Sequence, residues 1–79
     1  MKQMPTYYTR EELGNLLREK REDQGLTIKE LVAKYDEIGS TTTIVKIENG
    51  RSLSKESIQK YADFFDLGPV IDFFSFYDS

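Results

Sequence analysis

Cysteine and histidine are both missing from this 79-residue chain. Without cysteine there is no disulfide framework, no thiolate zinc site and no thiol nucleophile. Without histidine the other common zinc ligand and the usual general base near neutral pH are gone as well. Catalysis would have to rest on carboxylates, lysine or tyrosine, and no carboxylate pair falls in an evident apolar stretch. A glycine-rich loop that could cradle a phosphate is also lacking, so an enzyme is not expected, and neither is a metal or a cofactor. Long apolar runs are absent too: nothing approaches the ~20 residues of a membrane span. The N-terminus, Met-Lys-Gln-Met-Pro-Thr-Tyr-Tyr, lacks the apolar region of a secretion signal. The expected location is the cytoplasm.

Basic residues are scarce at one end. All 11 Lys and Arg fall within residues 1–60, against 10 Asp and Glu, whereas residues 61–79 hold four aspartates and no base. The overall net charge of −3 therefore belongs to the C-terminal segment, and the remainder is close to neutral. A nucleic-acid binder is usually basic, so weak nonspecific affinity is expected for such a partner. With 38% hydrophobic residues, this length supports one domain and one small core.

What is present is a series of helix punctuation marks. Residues 1–8, with Pro5 and two tyrosines, read as an arm. Thr9-x-x-Glu12 is a capping box, with Tyr8 and Leu13 as its hydrophobic staple. It predicts a first helix over residues 10–24, with Leu13, Leu16 and Leu17 inward and Gly25 as the stop. Arg18, Glu19, Glu22 and Asp23 read as its solvated face. Gly14, placed mid-helix at a cost of ~1 kcal/mol relative to alanine, predicts close approach of another backbone.

Thr27-x-x-Glu30 repeats the box, with Leu26 and Leu31 as staple, and predicts a second helix ending near Tyr35. Thr41-Thr42-Thr43-Ile44-Val45-Lys46-Ile47-Glu48-Asn49-Gly50 reads as a third, with Ile44 and Ile47 inward and a glycine stop. Ser54 caps a fourth, flanked by Leu53 and Ile58 as staple. Its buried stripe is Ile58, Tyr61, Ala62 and Phe65, and Leu67-Gly68-Pro69 is the expected end. Pro69 suits a helical first turn, so a fifth helix is expected over residues 69–77.

Two short capped helices joined by a turn, the second presenting small polar groups and a cation, have the layout of a helix-turn-helix. The strings carrying that layout resemble the phage repressor and Cro-type family. Its pattern of Leu-Arg-x-x-Arg, three residues, Gly-Leu-Ser/Thr and then Glu-Leu-Ala is matched by Leu17-Arg18-Glu19-Lys20-Arg21 through Gly25-Leu26-Thr27 and Glu30-Leu31-Val32. Ile44-x-x-Ile47-Glu48-Asn49-Gly50 is similar to the end of the family's recognition helix. The resemblance spans roughly residues 12–67 and implies an all-α, lambda-repressor-like five-helix domain. The expected organisation is an arm (1–8), the helix-turn-helix domain (9–68) and an aromatic C-terminal segment (69–79). The chain departs from the pattern in its turn, Tyr35-Asp36-Glu37-Ile38-Gly39-Ser40, about two residues long for the family. Another turn on helix 2 or a wider loop would absorb them.

The implied function is sequence-specific binding of double-stranded DNA for transcriptional control, with helix 3 in the major groove. Thr41, Thr42, Val45 and Lys46, opposite the isoleucines, are the candidate base contacts: lysine for guanine O6 or N7 or else a phosphate, threonine by donating, accepting or packing its methyl on thymine, and valine for a thymine methyl or else a protein surface. For the threonines, plain N-capping is the competing role. Asn49 and Arg51 beyond the helix, with Thr27, Lys29, Ser54 and Lys55 at two helix N-termini, are candidate phosphate contacts. Ile28 stands where relatives often carry a phosphate-binding glutamine, so one contact is expected to be missing. The resemblance further implies a structural ion pair between Arg21 and Glu48. Relatives often dimerise through their last helix, which makes Phe73, Phe74, Phe76 and Tyr77 the candidate interface of a homodimer. The acidic balance, the Asp36-Glu37 turn and the aromatic tail also suit a non-catalytic module that captures a protein partner, as an antitoxin does.

Overall fold

The computed structural model describes residues 7–52 and 54–74. Four α-helices run in the order α1 Arg10–Asp23, α2 Ile28–Lys34, α3 Thr41–Glu48 and α4 Lys55–Phe64, with 3-10 turns at Asp36–Ile38 and Val70–Asp72. No named strand occurs among the described residues, so the all-α expectation holds. Both capping boxes form: Thr9 Oγ1 accepts from the Glu12 N–H at 3.1 Å and Glu12 accepts from the Thr9 N–H at 2.8 Å. The second box has the same geometry, at 3.1 and 2.9 Å, between Thr27 and Glu30. The Thr27 backbone N–H, and then its side chain, hold the Glu30 carboxyl below the usual carboxylate range.

Helix ends follow one device. After α1 and α3, Gly25 (φ +69°) and Gly50 (φ +72°) take the left-handed position. The Leu26 N–H then donates to the Arg21 carbonyl at 3.1 Å, and the Arg51 N–H to that of Lys46 at 2.8 Å, the Schellman arrangement. After α4 the same position is held by Asp66 (φ 58°) instead of Gly68, with the Leu67 N–H returning to Ala62 at 3.1 Å. Aspartate tolerates this region better than most side-chain-bearing residues, and so α4 ends two residues earlier than its glycine suggests.

The long turn is absorbed neither by α2 nor by an open loop. Its 3-10 geometry buries Ile38, 1% exposed, in the core, while Tyr35 stacks on Phe64 of α4 with centroids 5.7 Å apart. The core itself is built on Leu13, Leu17, Leu31, Ile44, Ile47, Ile58, Tyr61 and Ala62, all at or below 3% exposed. Arg18 and Glu22 pair at 3.3 Å on the wet side of α1.

The fifth helix does not form among the described residues; one 3-10 turn replaces it. Gln59 of α4 accepts from the Val70 N–H at 2.9 Å and donates to the Gly68 carbonyl at 3.0 Å, which pins the segment across α4. The chain then extends to meet the arm: the Tyr8 N–H donates to the Phe73 carbonyl at 2.9 Å, and Tyr8 and Phe74 form an isolated parallel bridge. Val70 and Phe74 complete the core at 2% and 1% exposed. Phe74 is therefore an internal residue, and not the surface residue that a dimer contact requires. Leu53, Phe76 and Tyr77 lie outside the described residues.

Gly14 of α1 lies against the end of α3. A Cβ there would stand 2.5 Å from the Ile47 carbonyl oxygen and 2.6 Å from that of Glu48. Backbone cannot yield as a side-chain tip does. Gly14→Ala, a substitution that gains ~1 kcal/mol in a free helix, is expected to cost about 1–3 kcal/mol here through overpacking. Urea denaturation midpoints measure this, and an unchanged or raised midpoint would contradict the close approach.

Candidate nucleic-acid interface

The outer face of α3 follows from its two anchors. Ile44 and Ile47 are 0% and 3% exposed, and at 3.6 residues per turn that leaves Thr41, Thr42, Val45 and Lys46 facing outward. All four are exposed, Val45 at 42%. The cap of α3 is Ser40, whose Oγ accepts from the Thr43 N–H at 3.4 Å. Capping therefore occupies neither Thr41 nor Thr42. Thr43 is half-buried beside Ser40 and Gly39 and serves structure.

Lys46 and Arg51 come together over a shallow cleft of about 410 Å³ that Thr43, Ser52, Ser54 and Ser57 also line. The Schellman bond from the Arg51 N–H to the Lys46 carbonyl fixes the backbone positions from which the two cations extend. Among the described residues neither cation forms an ion pair. Buried Ser52 accepts from the Ser54 N–H at 3.2 Å, and Ser54 accepts from the Ser57 N–H at 3.2 Å, so the cleft floor is an ordered set of hydroxyls. The spacing of Ser52 and Ser57 did not mark them beforehand, because their place depends on how the 50–54 loop turns.

The other phosphate candidates are dispersed. Thr27 and Lys29 are exposed at the start of α2, Asn49 is exposed as the C-cap of α3, and Lys55 is exposed in the first turn of α4. Ile28 is half-buried against the core, which accounts for an apolar residue there. Asp36 and Glu37 are exposed in the 3-10 turn. The Lys60 ammonium lies 4.0 Å from Glu37, with both side chains about half exposed, and such a pair is worth about 0–1 kcal/mol. It offsets that negative charge only in small part.

Beneath this surface lies a buried polar network. Arg21 Nε donates to Glu48 Oε2 at 2.8 Å and Nη2 to Oε1 at 3.1 Å, while Nη1 donates to the Leu26 carbonyl at 2.6 Å. Both partners are 8% exposed. The Glu48 hydrogen bond raises the Arg21 pKa against the opposing effect of burial. Tyr61 of α4 adds a third donor, its hydroxyl 2.6 Å from Glu48 Oε2. Burial, and then this bond to the carboxylate, push the Tyr61 phenol above its ordinary range. Helical spacing assigns Tyr61 to the apolar stripe and passes over its hydroxyl. A tyrosine in a buried stripe nevertheless requires a partner for its O–H, and that signal points inward to the network.

Removing one side of a buried pair leaves the other charge desolvated. Arg21→Ala and Glu48→Ala are each expected to cost ~3–5 kcal/mol, and the double variant less than their sum. Denaturation midpoints of the three variants test this; small additive losses would show that the pair carries no coupling.

No group of metal-binding side chains occurs among the described residues, and no helix there is long and apolar enough to cross a membrane. A model of the helix-turn-helix family matches residues 17–71. Neither the curated proteins nor the solved structures provide a match.

Proposed function

The chain belongs to the helix-turn-helix family of the phage repressor and Cro type, and from that premise we propose that it regulates transcription by binding operator DNA sequence-specifically, with α3 in the major groove. Membership itself marks a DNA-binding regulator in general. The observation that carries the finer reading is the outer face of α3 beside the Lys46–Arg51 cleft. That face offers two hydroxyls, one apolar group and one cation to base edges, on a helix narrow enough for the groove. Arg51 and Ser54, at the loop before α4, then suit the phosphate that follows.

Thr27, Lys29, Asn49 and Lys55 serve as further backbone contacts around this centre. Only three of these phosphate contacts, Lys29, Arg51 and Lys55, are cations, so affinity depends on base readout more than on counterion release. Lys46→Ala is expected to weaken specific binding by ~1–3 kcal/mol and relax the preference at one base pair, and Arg51→Ala to weaken all sequences alike and flatten the salt slope by about one. Fluorescence anisotropy over a salt series, against duplexes selected from a random pool, separates the two. An unchanged preference in Lys46→Ala would remove that lysine from the base contacts.

A single unit of this kind reads only a few base pairs, so we place two on half-sites about 34 Å apart. Ile71, 63% exposed, and Tyr8, 40% exposed, flank half-buried Phe73. With Phe76 and Tyr77 they supply the apolar area that joins two copies. Ile71→Asp is expected to yield a folded monomer with operator affinity reduced more than nonspecific affinity, as read by sedimentation equilibrium and anisotropy. A wild-type chain that is monomeric at tens of micromolar would sink the dimer. The second reading, capture of a protein partner, draws on the acidic balance and the exposed Asp36-Glu37 turn. A folded wild-type protein that selects no duplex at low salt would favour it.

A further inference from the structure

We propose that Tyr61 is a positioning residue for α3, setting the angle at which the recognition face is presented; this rests on the DNA-reading role of α3. Three helices meet at the Glu48 carboxylate. Arg21 comes from α1, Glu48 is the last residue of α3, and Tyr61 comes from the middle of α4. The guanidinium fork holds Glu48 within one plane and does so from α1 alone. The Tyr61 hydroxyl adds a donor from a different direction, at 2.6 Å on Oε2.

A phenol has one proton to give. The Leu17 carbonyl also lies 3.4 Å from the hydroxyl oxygen, but the shorter contact, to a charged acceptor, is the stronger one. The ring is 0% exposed and rests against Phe65 with centroids 5.8 Å apart, so the hydroxyl has little freedom to swing away. The bond therefore ties α3 directly to α4.

That tie bears on the cleft. Lys46 lies on α3 two residues before Glu48, and Ser57 lies on α4 one turn before Tyr61. Thr43 and Lys46 on one side of the cleft and Ser57 on the other thus belong to the two helices that this hydrogen bond joins, and Arg51, Ser52 and Ser54 to the loop between them. Losing it allows α3 to shift against α4, and the base-reading and phosphate-facing groups then no longer meet one duplex in register. Phosphate attraction to the same cations tolerates such a shift, because it needs no fixed orientation.

Tyr61→Phe keeps the ring and removes only the hydroxyl. In the free protein, amide hydrogen exchange is expected to quicken about five- to twentyfold over residues 43–48, with α1 changing less than twofold. Against a duplex that wild-type protein selects from a random pool, affinity should fall about three- to tenfold. A random duplex of the same length should be bound within twofold of wild type. Faster exchange spread evenly over all helices, or an unchanged ratio of selected to random affinity, would overturn the positioning role. If wild-type protein selects no duplex, the DNA reading fails by itself, and exchange confined to α3 still decides whether Tyr61 holds that helix.

Discussion

The Glu48 carboxylate is the point on which the geometry of the domain depends. It is a charge almost without contact with water, and burial of that kind is tolerable only if all its lone pairs are met. Arg21 and Tyr61 supply three donors from two other helices, so satisfying the charge draws α1, α3 and α4 together. Gly14 makes that arrangement reachable by letting the α1 backbone lie against the Ile47 and Glu48 carbonyls. A bulkier residue at position 14 would hold the helices apart and lengthen the hydrogen bonds that satisfy the charge. Close packing and charge pairing are here two aspects of one constraint.

Electrostatics divide along the chain instead of being spread over it. The cations over the cleft stand on α3 and the loop after it, while the aspartates without basic neighbours in sequence fall beyond residue 60. A modest local attraction within an acidic whole keeps nonspecific adhesion low. In the proposed function, discrimination then rests on a small number of side chains on α3. Their angle counts for more than it would in a strongly basic relative, in which phosphate contacts dominate.

Much of the architecture was legible because its signals are local. Thr9 with Glu12, Thr27 with Glu30, Ser54, Gly25 and Gly50 each act within five residues, and each does what its chemistry suggests. Gly14 was legible too, since a glycine in mid-helix needs a reason and close approach is the commonest one. The Arg21–Glu48 pair was readable only by resemblance, because a separation of 27 residues leaves no periodic trace. Elements governed by distant partners were missed. The turn folds as a 3-10 helix because the core accepts Ile38, and residues 69–74 abandon helix because Gln59 and the arm compete for their backbone. Asp66 takes the helix-ending position two residues before Gly68, and both have positive φ, so the glycine marked a turn and not the end of α4. Of the candidate site, the outward face of α3 was legible from the isoleucine spacing. The hydroxyl floor of the cleft was not, because it depends on how the loop before α4 turns.

The bridge between Tyr8 and Phe74 joins the two ends of the described fold. One backbone hydrogen bond and one ring contact close nearly the whole chain into a loop. The entropy of such closure grows only slowly with length, so its distance in sequence is no great obstacle. Its effect lies in cooperativity. If the arm frays, the C-terminal segment loses its pairing partner at Phe73 and Phe74 and is held to α4 through Gln59 alone among these polar contacts. If that segment lifts, the core opens beside α4 and Tyr61. The ends of a chain are ordinarily the first parts to loosen independently, whereas here the start and finish of the described fold are tied to each other.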